Sequence, residues 1–145
     1  MTSKDLCIGN FKNMLKTNTN SFAKSVALEE LKKRGLVAMK SGRGFEVNQK
    51  RINIRGCNID NGWAQKTGPG WNRLDPKKFN YFICVAFDEN HNNIRYFIFS
   101  KEDVEKFPNV VWKNAPNLKN IILKQDDKEL DQIIKDSENK WDKII

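Results

Sequence analysis

Histidine, cysteine and proline are scarce in this chain, whose 145 residues include one histidine, three cysteines and four prolines. The single histidine, His91, lies in an Asn-rich segment typical of a turn, so no histidine pair is available to a metal. Three widely spaced cysteines match neither a disulfide framework nor a zinc cluster, and we therefore expect a reducing, cytoplasmic compartment. No apolar run approaches the roughly 18 residues of a membrane span, and we expect neither a signal peptide nor a membrane partner.

Positive charge, in contrast, is abundant and unevenly distributed. The formal net charge is +8 at pH 7; residues 40–73 hold seven basic and two acidic side chains, whereas residues 124–145 hold five basic and seven acidic ones. A local surplus of this kind suits a polyanion such as nucleic acid, although solubility alone explains the same total. The length predicts a single domain, 1–145, with a core of its own.

The first half of the chain predicts a helix followed by a β-hairpin. Residues 21–34 place apolar side chains on one face, with Ser21 suited to cap the start and Gly35 to end the helix. A further short helix is predicted within residues 1–20. Residues 45–47 and 51–55 alternate in polarity, as strands with one buried face do.

The second half predicts more strands and two further helices. Of its segments, we expect 56–74 to be a loop, 75–79 a short helix, 81–87 a strand buried on both faces, 94–99 its partner, 110–112 and 121–123 minor strands, and 126–145 a final helix. The capping-box sequence that starts at Ser100 predicts a helix ending at Pro108. The order of elements predicts the α/β (α+β) class, with a mixed β-sheet flanked by helices.

Three polar side chains of the hairpin are the candidate catalytic residues. Asn53 and Arg55 share a strand face because they are two residues apart, and Glu46 lies on the preceding strand. Phosphodiester cleavage needs acids that hold Mg²⁺ and a cation that stabilises developing charge, and such a set provides both kinds of group. An exposed cross-strand pair of Glu46 with Arg55 or Arg51 explains the same pattern without any chemistry.

The segment 58–73 is the second candidate feature, because it combines tryptophans with basic residues and glycines. Aromatic rings in such a loop can stack on bases while cations contact phosphates. In the alternative interpretation, the tryptophans fold inward over the core. The predicted nucleic-acid-binding residues of the loop and hairpin are Arg43, Lys50, Arg51, Trp63, Lys66, Trp71 and Arg73.

The order of elements and several short motifs resemble those of the PD-(D/E)XK (restriction-endonuclease-like) nuclease superfamily. The matching stretches within residues 21–145 are Leu31-Lys-Lys-Arg-Gly, Gly44-Phe-Glu-Val, Ile52-Asn-Ile-Arg, residues 79–88, Tyr96-Phe-Ile-Phe-Ser and Glu138-Asn-Lys-Trp-Asp. The resemblance implies a restriction-endonuclease-like mixed sheet with Glu46 in the position of a metal-binding acid.

The departures from that family concern its metal site. Where the family has acid-x-Lys, this chain has Asn53-Ile54-Arg55, which removes one metal carboxylate and the usual lysine. Arginine keeps the positive charge and can clamp a phosphate, but it does not replace a lysine that positions water. The acid that many members carry on the first helix falls near Lys24.

We therefore expect a nucleic-acid-binding domain, with DNA favoured over RNA, whose phosphodiesterase chemistry is lost or strongly altered. Mg²⁺ is expected to be absent or weakly bound at Glu46, and any surviving activity would be that of a Mg²⁺-dependent endonuclease. The alternative is a non-catalytic interaction or accessory module that contacts a protein partner through the Trp63–Trp71 loop. A homodimer and an accessory protein partner both remain open.

Overall fold

The computed structural model describes residues 19–60, 68–109 and 117–145. Its elements are α1 (Thr19–Lys33), β1 (Met39–Ser41), β2 (Gly44–Val47), β3 (Lys50–Asn58), β4 (Gly70–Leu74), β5 (Tyr81–Phe87), β6 (Arg95–Ser100), α2 (Lys101–Glu105), β7 (Lys119–Ile122), α3 (Lys128–Ser137) and a 3-10 helix (Trp141–Lys143). Helices and a mixed sheet confirm the predicted α/β (α+β) class. The short helix predicted within residues 1–20 and the minor strand predicted at 110–112 lie outside the described residues. Within the described ranges, no helix is both long and apolar enough to cross a membrane.

Five strands form the main sheet in the order β1-β2-β3-β5-β6, and β4 pairs with β7 in a separate two-stranded sheet. The predicted hairpin is confirmed, since β2 and β3 are antiparallel and Glu46 lies opposite Arg51. β3 and β5 run parallel, and β5 and β6 run antiparallel. β5 is an interior strand, paired with β3 on one side and β6 on the other, and its apolar run is buried on both faces as predicted.

Two cores lie on opposite faces of the main sheet. The first core lies between the sheet and α1, which packs its apolar face, Phe22, Ala23, Ala27 and Leu31, against the strands. The start of α1 lies close to β3, because a Cβ atom on Gly56 would lie 2.6 Å from the carbonyl oxygen of Thr19. Gly35 ends this helix with a φ of 74°, as the sequence predicts.

The second core lies on the other face, beneath the β4–β7 pair, α2 and α3. It contains five phenylalanines together with Trp71 and both described cysteines, Cys57 and Cys84. Both cysteines are free and buried, and burial raises the pKa of the Cys57 thiol to about 11. Their side chains therefore act as small apolar groups.

Two predicted elements differ from the structure in the middle of the chain. The predicted loop 56–74 contains the end of β3 and all of β4, because residues 56–58 continue the parallel register with β5 and β4 finds a partner in β7. The predicted short helix at 75–79 is a turn, in which the Asp75 carboxylate accepts a hydrogen bond from the Lys77 amide (3.0 Å). Phe79 then folds over Gly44 and is buried.

The predicted single helix at 126–145 is wrong, because α3 ends at Ser137. Beyond it, Glu138 forms an isolated bridge with Phe97 and Asn139 donates its amide to the Tyr96 carbonyl (2.8 Å), so the chain passes along the free edge of β6. Ile134 before this edge belongs to the second core, whereas Trp141 after it belongs to the first. A continuous helix could not reach both faces of the sheet.

Candidate functional site

A groove lies along the free edge of β3. β2 pairs with β3 only as far as Ile52, and within the described residues β3 continues to Asn58 with β5 as its one neighbour. Asn20 of α1 caps part of this edge, since its side-chain oxygen accepts a hydrogen bond from the Gly56 amide (2.8 Å). The short β2 strand thus leaves an opening of about 980 Å³ between α1, the β1–β2 turn and the segment from β4 to β5.

Positive charge dominates the wall of this opening, which we call the cationic groove. Among the described residues, its charged lining consists of seven basic residues and one acidic residue, Asp75. The basic residues are Lys24, Lys40, Arg43, Arg51, Arg55, Arg73 and Lys78. The other lining residues are Asn20, Gly42, Asn53, Ile54, Phe79 and Leu118. Neighbouring cations of one sign in a cleft create a positive potential that attracts anions.

The described carboxylates do not neutralise this charge. Ion pairs form elsewhere in the described residues, such as Arg95 with Glu138 at 2.9 Å, where the carboxylate raises the pKa of Arg95 by accepting its hydrogen bonds. Within the same residues, no ion pair of 4.0 Å or less involves Lys24, Lys40, Arg43, Arg51, Arg55 or Lys78. The groove therefore keeps cations that an anionic ligand can contact.

Arg55 is the most constrained of these cations. Its Nη2 donates to the main-chain carbonyl of Asn72 (2.9 Å) and to the side-chain oxygen of the same residue (3.3 Å). Burial lowers the pKa of Arg55; Cys84, its partner in the β3–β5 register, opposes that shift, and the charge of Arg73 adds to it. The guanidinium nevertheless stays protonated, as arginine does in proteins. Arg55 is thus a half-buried, fixed cation beside a second cation.

Asn53 lies two residues before Arg55 on the same strand face, as predicted. It is only 8% exposed and lines the groove. Among the described residues, its carboxamide has no hydrogen-bond partner, although it is not fully enclosed by protein. Its amide therefore faces the groove with both a donor and an acceptor available.

Arg51 and Arg43 form the more exposed part of the groove. The Arg51 guanidinium lies 5.3 Å from the centre of the Phe79 ring, and the Arg51 main-chain amide donates a hydrogen bond to the side-chain oxygen of Asn80 (2.8 Å). Arg43 follows Gly42 in the β1–β2 turn. Both arginines are exposed, so an extended ligand can reach them.

Glu46 does not belong to the lining of the groove. It is exposed on β2 opposite Arg51, whereas Asn53 lies two positions further along β3, about 7 Å away along the strand direction. No ion pair joins Glu46 to Arg51 or Arg55 within the described residues. In the same part of the chain, no three His, Cys, Asp or Glu side chains are grouped as metal ligands. The metal-binding role of Glu46 stays a prediction.

No family model, curated protein or solved structure matches this chain. The resemblance to PD-(D/E)XK nucleases rests on short sequence motifs and stays a prediction. Chemical information about function comes from the cationic groove itself.

Two predicted nucleic-acid-binding residues lie away from the groove. Trp71 is buried in the second core, 2% exposed, and its indole Nε1 donates to the Val85 carbonyl (3.1 Å), so for Trp71 the inward alternative is the correct one. Lys50 lies on the opposite strand face, where its Nζ donates to the Ile144 carbonyl (3.3 Å). Trp63 and Lys66 lie outside the described residues.

The groove also contains basic residues that sequence reasoning missed, namely Lys24, Lys40 and Lys78. Lys40 belongs to residues 40–73, where basic side chains outnumber acidic ones by seven to two, and this surplus could have indicated that Lys40 lies on a basic surface. Lys24 and Lys78 carry no such signal, since they reach the groove through the packing of α1 and the turn before β5.

Proposed function

We propose that this chain is a nucleic-acid-binding domain that holds the phosphate backbone in its cationic groove, with duplex DNA as the expected partner. The observation that supports this proposal is the set of seven basic side chains around one opening, against a single acidic one, in the part of the chain that the structure describes. Backbone phosphates provide most of the affinity of such complexes and demand this kind of charge.

The arrangement of the cations favours an extended polyanion over a small anion. They come from four separate parts of the chain: α1, the β1–β2 region, β3, and the segment from β4 to the start of β5. A small anion contacts only a few such groups at once, whereas a polymer with regularly spaced phosphates can contact several. The free edge of β3 leaves this opening accessible from solvent.

The direct test is the salt dependence of binding to a short fluorescein-labelled DNA duplex, measured by fluorescence anisotropy in EDTA. Four phosphate contacts predict a slope of about −3.6 in log K against log[salt], and thus an affinity loss of about 150-fold between roughly 50 and 200 mM salt. The same titration with an RNA duplex compares the two nucleic acids. Absence of binding at low salt, or an affinity that salt does not change, would contradict the proposal.

For cleavage, we expect supercoiled DNA to stay intact in Mg²⁺ or Mn²⁺ with both the wild type and Glu46→Ala. The physical reason is the position of Glu46 outside the groove, which leaves Asp75 as the one carboxylate that residues 19–60, 68–109 and 117–145 contribute to its lining. A hard divalent cation needs several oxygen ligands, and neighbouring guanidinium groups repel it. Agarose gel electrophoresis measures the conversion of supercoiled DNA to nicked or linear forms. Metal-dependent nicking by the wild type that Glu46→Ala abolishes would instead establish an endonuclease.

A further inference from the structure

We propose that Asn53 and Arg55 form a metal-independent binding site for one phosphate group of the bound nucleic acid. This inference rests on the proposed function and adds to it a specific point of contact. In this proposal the exposed cations of the cationic groove attract the nucleic acid, whereas the less exposed Asn53 and Arg55 bind one of its phosphate groups.

Asn53 is unusual because it is a polar side chain with little exposure and no partner. Its exposed fraction is 8%, and within the described residues its carboxamide takes part in no hydrogen bond. Side chains this little exposed usually pair their polar atoms within the protein, whereas the amide atoms of Asn53 keep some accessible surface and line the groove. An amide kept unpaired at the wall of a groove is suited to bonding a ligand.

Arg55 supplies the charge for the same ligand. Its Nη2 is occupied by Asn72, and the described residues provide no partner for Nε or Nη1. The bond to the Asn72 main chain fixes the plane of the guanidinium, so little side-chain freedom is lost when a ligand binds. A planar guanidinium with free N–H groups binds phosphate oxygens through directed, charge-assisted hydrogen bonds.

The electrostatic surroundings favour phosphate over a metal ion. Arg73 is close enough to lower the pKa of Arg55 by its charge, so two cations border this position. A divalent cation would be repelled there, whereas an anion is attracted by both groups. Phosphate oxygens can accept from Arg55 and from the amide nitrogen of Asn53 together, without a metal as intermediary.

Charge-conserving substitutions separate this site from general attraction by the groove. Arg55→Lys keeps the charge but loses the planar donor set, and we expect about tenfold weaker duplex binding in EDTA. Arg95→Lys, on β6 outside the groove, is the matched control and should change the affinity by less than about twofold. If Arg55→Lys binds as tightly as the wild type, the site is refuted while the proposed function stands. If the wild type itself does not bind, the proposed function fails first.

Asn53→Leu is the second variant, because it removes the amide at nearly constant volume. We expect about tenfold weaker binding together with a thermal midpoint equal to or above that of the wild type, since no internal hydrogen bond is lost. A lower midpoint with unchanged affinity would show that Asn53 is merely structural and would overturn the inference. Circular dichroism melts of all variants verify folding.

The source of the phosphate is distinguished by competition. We expect inorganic phosphate to displace the labelled duplex only at concentrations far above those of unlabelled duplex, because it makes none of the other groove contacts. The side-chain ¹⁵N–H signals of Asn53 and Arg55 should shift on addition of the unlabelled duplex. Tight binding of inorganic phosphate at these signals, with no shift caused by the duplex, would refute a nucleic-acid phosphate as the ligand.

Discussion

The double variant Arg43→Glu/Arg51→Glu is expected to weaken duplex binding on the order of 100-fold at fixed salt, with the fold retained. Both side chains are exposed at the cationic groove, and within the described residues neither forms an ion pair. Each reversal removes one phosphate contact and adds a repulsive charge, so the slope of log K against log[salt] should become shallower by about 2. Fluorescence anisotropy over a salt series measures both quantities.

The matched control is Lys128→Glu/Lys140→Glu, which changes the net charge by the same amount. Both lysines are exposed and lie in or after α3, near β6 at the edge of the sheet that is opposite to β1. General attraction by net charge predicts equal losses in the two double variants. Binding in the groove predicts a loss that is confined to Arg43→Glu/Arg51→Glu, with the control within about threefold of the wild type. Equal losses would contradict the groove as the binding surface.

Local sequence rules predicted those parts of the fold whose contacts are local. The capping box is one such case: the Asp103 amide donates to the Ser100 hydroxyl (3.1 Å), and the Asp103 carboxylate accepts from the Ser100 amide (3.0 Å). Gly35, which ends α1, and the β2–β3 hairpin are others. In each case the residues that decide the structure are only a few positions apart, so the pattern is visible in the sequence.

Distant contacts explain what the sequence did not predict. β4 is a strand because it pairs with β7, and the two segments are separated by more than forty residues of chain. The break after Ser137 likewise depends on the free edge of β6, to which Glu138 and Asn139 bond. Nothing in the local pattern of either segment shows that a partner is available there.

In the candidate site, too, some features follow from local sequence and others depend on distant contacts. Alternation alone placed Asn53 and Arg55 on one strand face, and the structure agrees. Their separation from Glu46 follows from the hairpin register, in which Glu46 lies opposite Arg51, two positions before Asn53. Composition signalled a basic surface, but only the fold shows that Lys24 and Lys78 reach the same opening as Arg55.

Trp71→Ala is expected to destabilise the fold by about 3–5 kcal/mol, the usual result of removing a buried aromatic ring. The indole is enclosed in the second core, 5.5 Å from the Phe97 ring centre and 6.3 Å from that of Phe99, and it donates to the Val85 carbonyl. Such a loss is a large share of the 5–15 kcal/mol that typically stabilises a domain, about half in many cases. Urea unfolding measures the free-energy difference.

Trp71→Phe separates the structural role from base stacking. Phenylalanine keeps an aromatic face for stacking but loses the hydrogen bond to Val85 and part of the ring volume, so we expect a destabilisation of about 1–2 kcal/mol. Duplex affinity, measured at a temperature at which the variant is fully folded, should stay within about twofold of the wild type. Wild-type stability combined with weakened binding would instead show that Trp71 leaves the core to contact bases. We do not expect Trp71 to leave the core, because its indole contacts the rings of Phe97 and Phe99 and donates to the Val85 carbonyl. The cavity left by the indole would cost more free energy than stacking on one base would provide.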